Sequence, residues 1–235
     1  MTIADLDIEI VQKDIKNIHL AVYPPTGRVR LAAPMDVNSE TLRLFVLSKL
    51  SWIRKQQRIF KSQNRQTPRE FVNRETHYFM GRKYLLRVHE TNHPYRHPKV
   101  ILKTKTYIDL FVRETTTVEQ KATLIKEWYR LELKSLLDEL IPKWEKILNV
   151  KCANYTVKSM KTKWGSCNTE KANLLFNLEL AKKPIPCIEY VVAHELVHLL
   201  ERKHSDIFKA YLDKHIPNWK KLKDELNTLV VVNYY

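Results

Sequence analysis

The feature that most restricts the fold is a nearly apolar run from Tyr190 to Leu200 that contains two histidines and one glutamate. Its apolar residues point in almost every direction around a helix, so the helix is expected to be buried. Histidine and glutamate cost free energy in a buried site unless strong partners meet them. A metal ion supplies such partners, and the run therefore predicts a buried helix that carries a metal site.

His194 and His198 are four residues apart in this run. On a helix both imidazoles project from one face, about one turn apart, which suits two ligands of one zinc ion. Glu195 lies about 100° around the helix from His194, within reach of a water on the metal but outside its coordination positions. The pattern predicts catalytic Zn²⁺, with Glu195 as the general base for hydrolysis of a peptide bond.

The third ligand is assigned to His204, because catalytic zinc is held by three protein ligands and one water. His215, Glu201 and Asp213 remain open as alternatives, since the next helix can supply one of them. Either way, the prediction is one Zn²⁺ per chain.

The ten-residue spacing from His194 to His204 also occurs in the metzincins. Those proteases have a glycine where this chain has Glu201, and a methionine turn after the zinc motif. All four methionines of this chain precede His194, so the metzincins are excluded.

Further segments of the chain have the order and spacing of another family. They are Met160–Cys167 with its Trp-Gly-Ser-Cys run, Leu178–Leu180, Tyr190–Leu199, His204 with Ser205 and Phe208, Pro217 with Trp219 and Lys220, and upstream Trp52–Ile53 and Gly81–Tyr84. On these residues nearly the whole chain resembles the YgjP-like zinc metallopeptidases, which are related to the gluzincins and to the SprT-like and Wss1-like proteases. It departs from them at Lys163, where arginine is usual, and at Lys209, where tryptophan is common.

The resemblance implies an α+β fold, in which a compact zincin-like metallopeptidase domain carries its H-E-x-x-H helix under a small sheet. The edge strand of that sheet borders the cleft. Carried over to this sequence, the ligands are His194, His198 and His204, the base is Glu195, and the substrate is an extended or unfolded polypeptide.

The segment around the Trp-Gly-Ser-Cys run has two interpretations. Gly165 lets the backbone approach the cleft or takes a positive φ, with Trp164 as a wall, or the segment is a turn with a core tryptophan. A strand over residues 173–180 would bind an extended peptide by strand addition, or would only complete the sheet. The candidate substrate-binding residues are Trp164, Gly165, Ser166 and Asn173.

The spacing of apolar residues divides the chain near residue 115. Alternation predicts strands before that point, and helical spacing dominates after Thr117, with an end, kink or restart at Pro142. The predicted elements are strands in 6–33, a helix over 39–61 capped by Asn38 or Ser39, hairpins in 78–88 and 100–112, and strands at 155–161 and 173–180. The predicted domains are residues 1–115, basic and strand-rich with one long helix, and residues 116–235, the metallopeptidase domain.

The net charge is +15, and residues 41–110 contribute +12 of it. Such a basic region is either a solvated face or a surface that attracts nucleic acid. The alternative function is therefore a nucleic-acid-associated protein whose zinc site processes DNA-bound proteins or is purely structural.

With only three glycines, at 27, 81 and 165, the chain lacks the glycine-rich phosphate loops of dinucleotide-binding and P-loop proteins.

The cellular compartment of the protein can be predicted only from features that the sequence lacks. No apolar run reaches the length of a membrane span, and the N-terminus lacks the pattern of a secretion signal. The three cysteines form no C-x-x-C pair. The expectation is a cytoplasmic protein without a membrane partner.

Overall fold

The computed structural model describes residues 1–23, 26–62, 69–92, 98–160 and 162–228. Within them the chain has an α+β architecture of three sheets and five α-helices, which confirms the predicted fold class. The chain forms two compact units, residues 1–67 and 68–235. The predicted boundary near residue 115 therefore falls inside the second unit.

The first unit is one sheet with one helix. Its elements are β1 (Thr2–Ile3), β2 (Leu6–Lys13), β3 (His19–Tyr23), β4 (Arg28–Pro34) and α1 (Ser39–Ser62). The sheet order is β1-β2-β4-β3, with β2 and β4 parallel. Helix α1 buries Leu42, Val46 and Ile53 in the core of this unit. The backbone N–H of Thr41 donates to Asn38 Oδ1 at 2.8 Å, so Asn38 stabilises the helix start as predicted.

The second unit begins with a four-stranded sheet and a long helix. The elements are β5 (Thr76–Phe79), β6 (Arg82–Glu90), β7 (Lys99–Ile101), β8 (Tyr107–Val112) and α2 (Val118–Leu148). The sheet order is β5-β6-β8-β7. Side chains from this sheet and from α2 belong to one buried core, which continues through the rest of the unit. The sequence pattern changes near residue 115 because the sheet is followed there by a helix, and both pack into the same core.

Helix α2 does not end at Pro142. Leu140, Ile141 and Trp144 are buried around the proline, so packing outweighs the one backbone hydrogen bond that proline cannot donate. Thr117 and Gln120 form a capping box at the start of the helix.

The remaining elements include those that carry the predicted metal site. They are β9 (Asn154–Lys158), β10 (Gly165–Asn168), β11 (Asn173–Asn177), a short 3-10 helix (Leu178–Lys182), α3 (Ile185–Val197), α4 (Asp206–His215) and α5 (Trp219–Thr228). The predicted strand over 173–180 is wrong at its end, because the Asn177 side chain accepts a hydrogen bond from the Glu179 N–H and starts the 3-10 helix.

The three-stranded sheet has the order β10-β11-β9, which places β11 in the centre. Strand β11 pairs with β10 on one side and with β9 on the other, so no edge of it is left for an added strand. The two outer strands of this sheet are β9 and β10, and β10, which the sequence patterns did not predict, is the one whose residues line the same cleft as the histidines of the motif. None of the described helices is long and apolar enough to cross a membrane.

Candidate metal centre

The histidines of the motif lie at the end of α3 and just beyond it. Helix α3 is buried along most of its length, and its last turn carries His194 and Glu195. His198 is the residue directly after the helix and keeps helical backbone angles. A short loop follows to His204, and Ser205 then caps α4 by accepting a hydrogen bond from the Phe208 N–H. Both helix ends thus fix the path of the loop between the histidines.

Three imidazoles converge at this place. His194, His198 and His204 each offer a ring nitrogen, and these nitrogens lie within 4.8 Å of one another. The Nε2 atoms of His194 and His204 are 3.0 Å apart. Ligands of tetrahedral zinc at 2.0–2.1 Å lie about 3.4 Å from one another, so the spacing of these nitrogens fits one zinc ion.

The residues behind the imidazoles hold the rings in place. The backbone carbonyl of Glu201 can only accept, so His198 donates from Nδ1 over 3.2 Å and keeps Nε2 free for a metal. The Tyr190 hydroxyl lies 3.4 Å from His194 Nδ1. The buried ring of Phe208 contacts all three imidazoles, with centroid distances of 4.8–4.9 Å. The three rings therefore share one apolar support.

The site also keeps His194 and His198 uncharged. Burial lowers the pKa of His194 to about 3, helped by the neighbouring His198 and His204. Burial likewise lowers the pKa of His198. Neutral imidazole is the form that binds metals, so the donor set matches zinc in chemistry as well as in spacing.

Glu195 lies in the same cleft and is 5% exposed. Gly165, the first residue of β10, passes so close that a Cβ there would lie 2.5 Å from Glu195 Oε1 and 2.7 Å from its Cγ. Gly27 and Gly81 have positive φ, whereas Gly165 does not. Of the two predicted reasons for a glycine at 165, close approach of the backbone is the one observed.

Burial also sets the protonation of Glu195. Desolvation raises the pKa of this carboxyl to about 8, and the positive charge of Lys163 opposes the rise. Without a cation in the site, the carboxyl therefore holds its proton at neutral pH. A nearby positive charge favours the ionised form, which is the form a base requires.

The candidate substrate-binding residues divide into two groups. Trp164, Gly165 and Ser166 line the cleft of about 750 Å³ that contains the histidines. Trp164 also packs against the core, so the two predicted roles of this ring coexist. Asn173 does not line that cleft, because it starts the central strand β11 and borders a separate cavity of about 240 Å³.

The alternative third ligands bind elsewhere. The Glu201 carboxylate accepts from the Lys203 N–H, and Asp213 accepts from the Trp219 indole at 2.7 Å. His215 packs edge-on against Trp144. Among the residues that the structure describes, His204 is the one that joins His194 and His198 in a group able to hold a metal.

Asn177 supports the cleft and was not singled out by the sequence. Its buried amide donates to the carbonyls of Met160 and Lys163 at 2.9 and 2.8 Å, and its Oδ1 accepts from the Met160 N–H. Its backbone N–H donates to the Trp164 carbonyl at 2.9 Å. Asn177 thereby fixes the segment that brings Trp164 and Gly165 to Glu195. The one hint of its role in the sequence is its position directly before Leu178–Leu180, a segment that carries the resemblance to the YgjP-like family.

The basic region 41–110 extends from the first unit into the second. Some of its cations have carboxylate partners, since Arg69 pairs with Glu75 and Arg87 pairs with Asp109. Nucleic-acid binding by this region stays a prediction.

Comparison with known proteins identifies the family. The model of the YgjP-like metallopeptidase domain matches residues 16–229, and the chain belongs to this family, as its sequence resemblance predicted. This family implies a bound metal and a polypeptide substrate. No curated protein matches the chain.

Two solved structures are similar to part of the chain. One is the metallopeptidase zymogen of Pyrococcus abyssi abylysin, with 19% identity, a TM-score of 0.39, and coverage of 41% of this chain and 97% of that one. The other is the metallopeptidase zymogen of Methanocaldococcus jannaschii jannalysin, with 19% identity, a TM-score of 0.36, and coverage of 40% of this chain and 90% of that one.

Proposed function

We propose that this chain is a zinc metalloendopeptidase that holds one Zn²⁺ through His194, His198 and His204. One observation carries the proposal: three imidazoles converge in a cleft that also contains the buried carboxyl group of Glu195. A purely structural zinc site would need no such carboxylate beside it. The activity is assigned to the second unit, which includes the whole of the predicted domain 116–235.

Each residue of the cleft has a distinct task in this proposal. Bound zinc supplies a water of lowered pKa and polarises the carbonyl of the peptide bond. Glu195 takes up a proton on its carboxylate and returns it to the nitrogen of the leaving amine. The backbone at Gly165 fixes the position of that carboxylate. The β10 edge lies beside it and offers backbone hydrogen bonds to an extended polypeptide.

The test compares Glu195→Gln with Glu189→Gln, a control on the same helix whose carboxylate binds Lys143 and Trp144 instead. We expect about one zinc per chain in the wild type and in both variants, measured by elemental analysis. Hydrolysis of a labelled unfolded protein should fall by about 10²- to 10⁴-fold in Glu195→Gln alone. Unchanged hydrolysis in that variant would refute the proposed base.

A further inference from the structure

Three positively charged side chains from different parts of the second unit line the cleft. Lys163 precedes β10, Arg202 lies in the loop between α3 and α4, and Lys223 is on α5. All three side chains are exposed. The carboxylates that line the same cleft are Glu195, which is buried, and Glu170, which is exposed. Apart from the proposed base, the wall of the cleft therefore carries more positive than negative charge.

No described ion pair involves these three cations. Elsewhere in the second unit Lys143, Lys151, Lys182 and Lys209 each pair with a carboxylate at 2.5–2.9 Å. The cleft cations differ from those lysines in having no acidic partner within 4 Å among the residues that the structure describes. Their charge is available to a ligand in the cleft.

Two of the cations belong to the cleft wall around the proposed reaction centre. Lys163 lies two residues before Gly165, whose backbone meets the Glu195 side chain, and Lys223 lines the cleft together with the three histidines. A carboxylate bound near the scissile bond would therefore meet their positive charge.

We propose that the cleft selects polypeptide segments with aspartate or glutamate next to the bond that is cut, through Lys163, Arg202 and Lys223. The inference rests on the proposed peptidase function and adds the substrate class. Opposite charge raises the rate of encounter and stabilises the bound complex. A peptide fits better than a polynucleotide, because the edge of β10 offers backbone pairing and Val191 and Leu226 give the cleft apolar wall.

The experiment measures a preference rather than an activity. Cleavage sites in an unfolded protein are mapped by mass spectrometry, and kcat/KM is then measured for two synthetic peptides of one length. One peptide has glutamates and the other glutamines within three residues of the cut. For the wild type at low salt we expect kcat/KM about tenfold higher for the acidic peptide, with the difference shrinking as salt is added.

The variant that removes the cleft charge is Lys163→Gln/Arg202→Gln/Lys223→Gln. Its ratio of acidic to amide peptide should fall to about one. The matched control is Lys209→Gln/Lys214→Gln/Lys221→Gln, which removes the same charge from exposed lysines that do not line the cleft. This control should keep the wild-type ratio.

The outcomes separate the two proposals. If the zinc-loaded wild type cuts neither peptide nor unfolded protein, the proposed function fails. If it cuts both peptides equally well, the peptidase stands and the substrate class is overturned. If a single-stranded oligonucleotide blocks cleavage only when the cleft cations are present, and the peptides are cut equally, those cations serve nucleic acid and the inference is overturned.

Discussion

Replacing Gly165 by alanine tests how closely β10 controls Glu195. The added Cβ would lie 2.5 Å from Oε1, 2.7 Å from Cγ and 2.8 Å from Cδ of Glu195, whereas ordinary contact begins at 3.4 Å. The carboxylate must therefore move by about 1 Å. A displacement of that size in a catalytic group costs about 10²-fold in rate. We expect kcat/KM of Gly165→Ala to fall by about two orders of magnitude.

Stability should change much less than activity in this variant. Overpacking costs about 1–3 kcal/mol, and the low end applies because the displaced atoms belong to a flexible side chain. The loss of glycine freedom in the unfolded chain returns about 0.4–1 kcal/mol. The net loss in the free energy of unfolding is then less than about 1 kcal/mol, and zinc content should stay at the wild-type value.

The assays are urea unfolding, zinc analysis and hydrolysis of an unfolded protein. The control is Gly27→Ala in the first unit, where φ is +76° and the new Cβ would meet Gln57 at 2.9 Å. That variant should lose stability and keep its activity. A Gly165→Ala protein with kcat/KM within about twofold of the wild type would refute the argument that the backbone at 165 holds Glu195 in place.

Two further predictions concern buried polar groups of the second unit. Asn177→Ala removes the amide that donates to the carbonyls of Met160 and Lys163, so urea unfolding should show a loss of about 2–3 kcal/mol, together with lower kcat/KM. Burial alone would raise the pKa of Glu75, but the His77 ring, whose Nε2 lies 3.1 Å from Glu75 Oε1, and the hydrogen bond from Arg69 lower it from 4.5 to about 2. Glu75 therefore stabilises the fold above pH 4.5 and loses this effect as the pH falls towards 2. Glu75→Gln should be less stable than the wild type at pH 7, and the gap should narrow by pH 3.

Both of these predictions have a clear contrary result. An Asn177→Ala protein within about 0.5 kcal/mol of the wild type would show that water replaces the amide. A stability gap for Glu75→Gln that stays constant or widens on acidification would contradict the lowered pKa.

The sequence predicted what depends on local pattern. The 3.6-residue period of α1, the Asn38 cap and the position of His194, Glu195 and His198 at the end of one helix need only neighbouring residues. The edge strand β10 was missed because Gly-Ser-Cys-Asn has no alternation, and it becomes a strand only by pairing with β11. The hydrogen bonds of the Asn177 amide depend likewise on carbonyls fourteen to seventeen residues earlier in the chain.

The change of pattern near residue 115 does not coincide with the division into compact units, for a related reason. A change from strand to helix pattern resembles a boundary, but here both halves contribute to one core. The hairpin turn at Met80 and Gly81 donates backbone hydrogen bonds to Ala181 and Lys182, just before α3. Contacts of this range leave no local signal in the sequence.

The hydrogen bond from His198 to the backbone carbonyl of Glu201 has a consequence for how this site tolerates mutation. Many histidine ligands are oriented by a carboxylate, which a single codon change can delete. A main-chain carbonyl is present whichever amino acid occupies the position. Residue 201 is thus free to vary in its side chain while the ring beside it keeps its orientation, and only a change in chain length or path between the second and third histidines would release it.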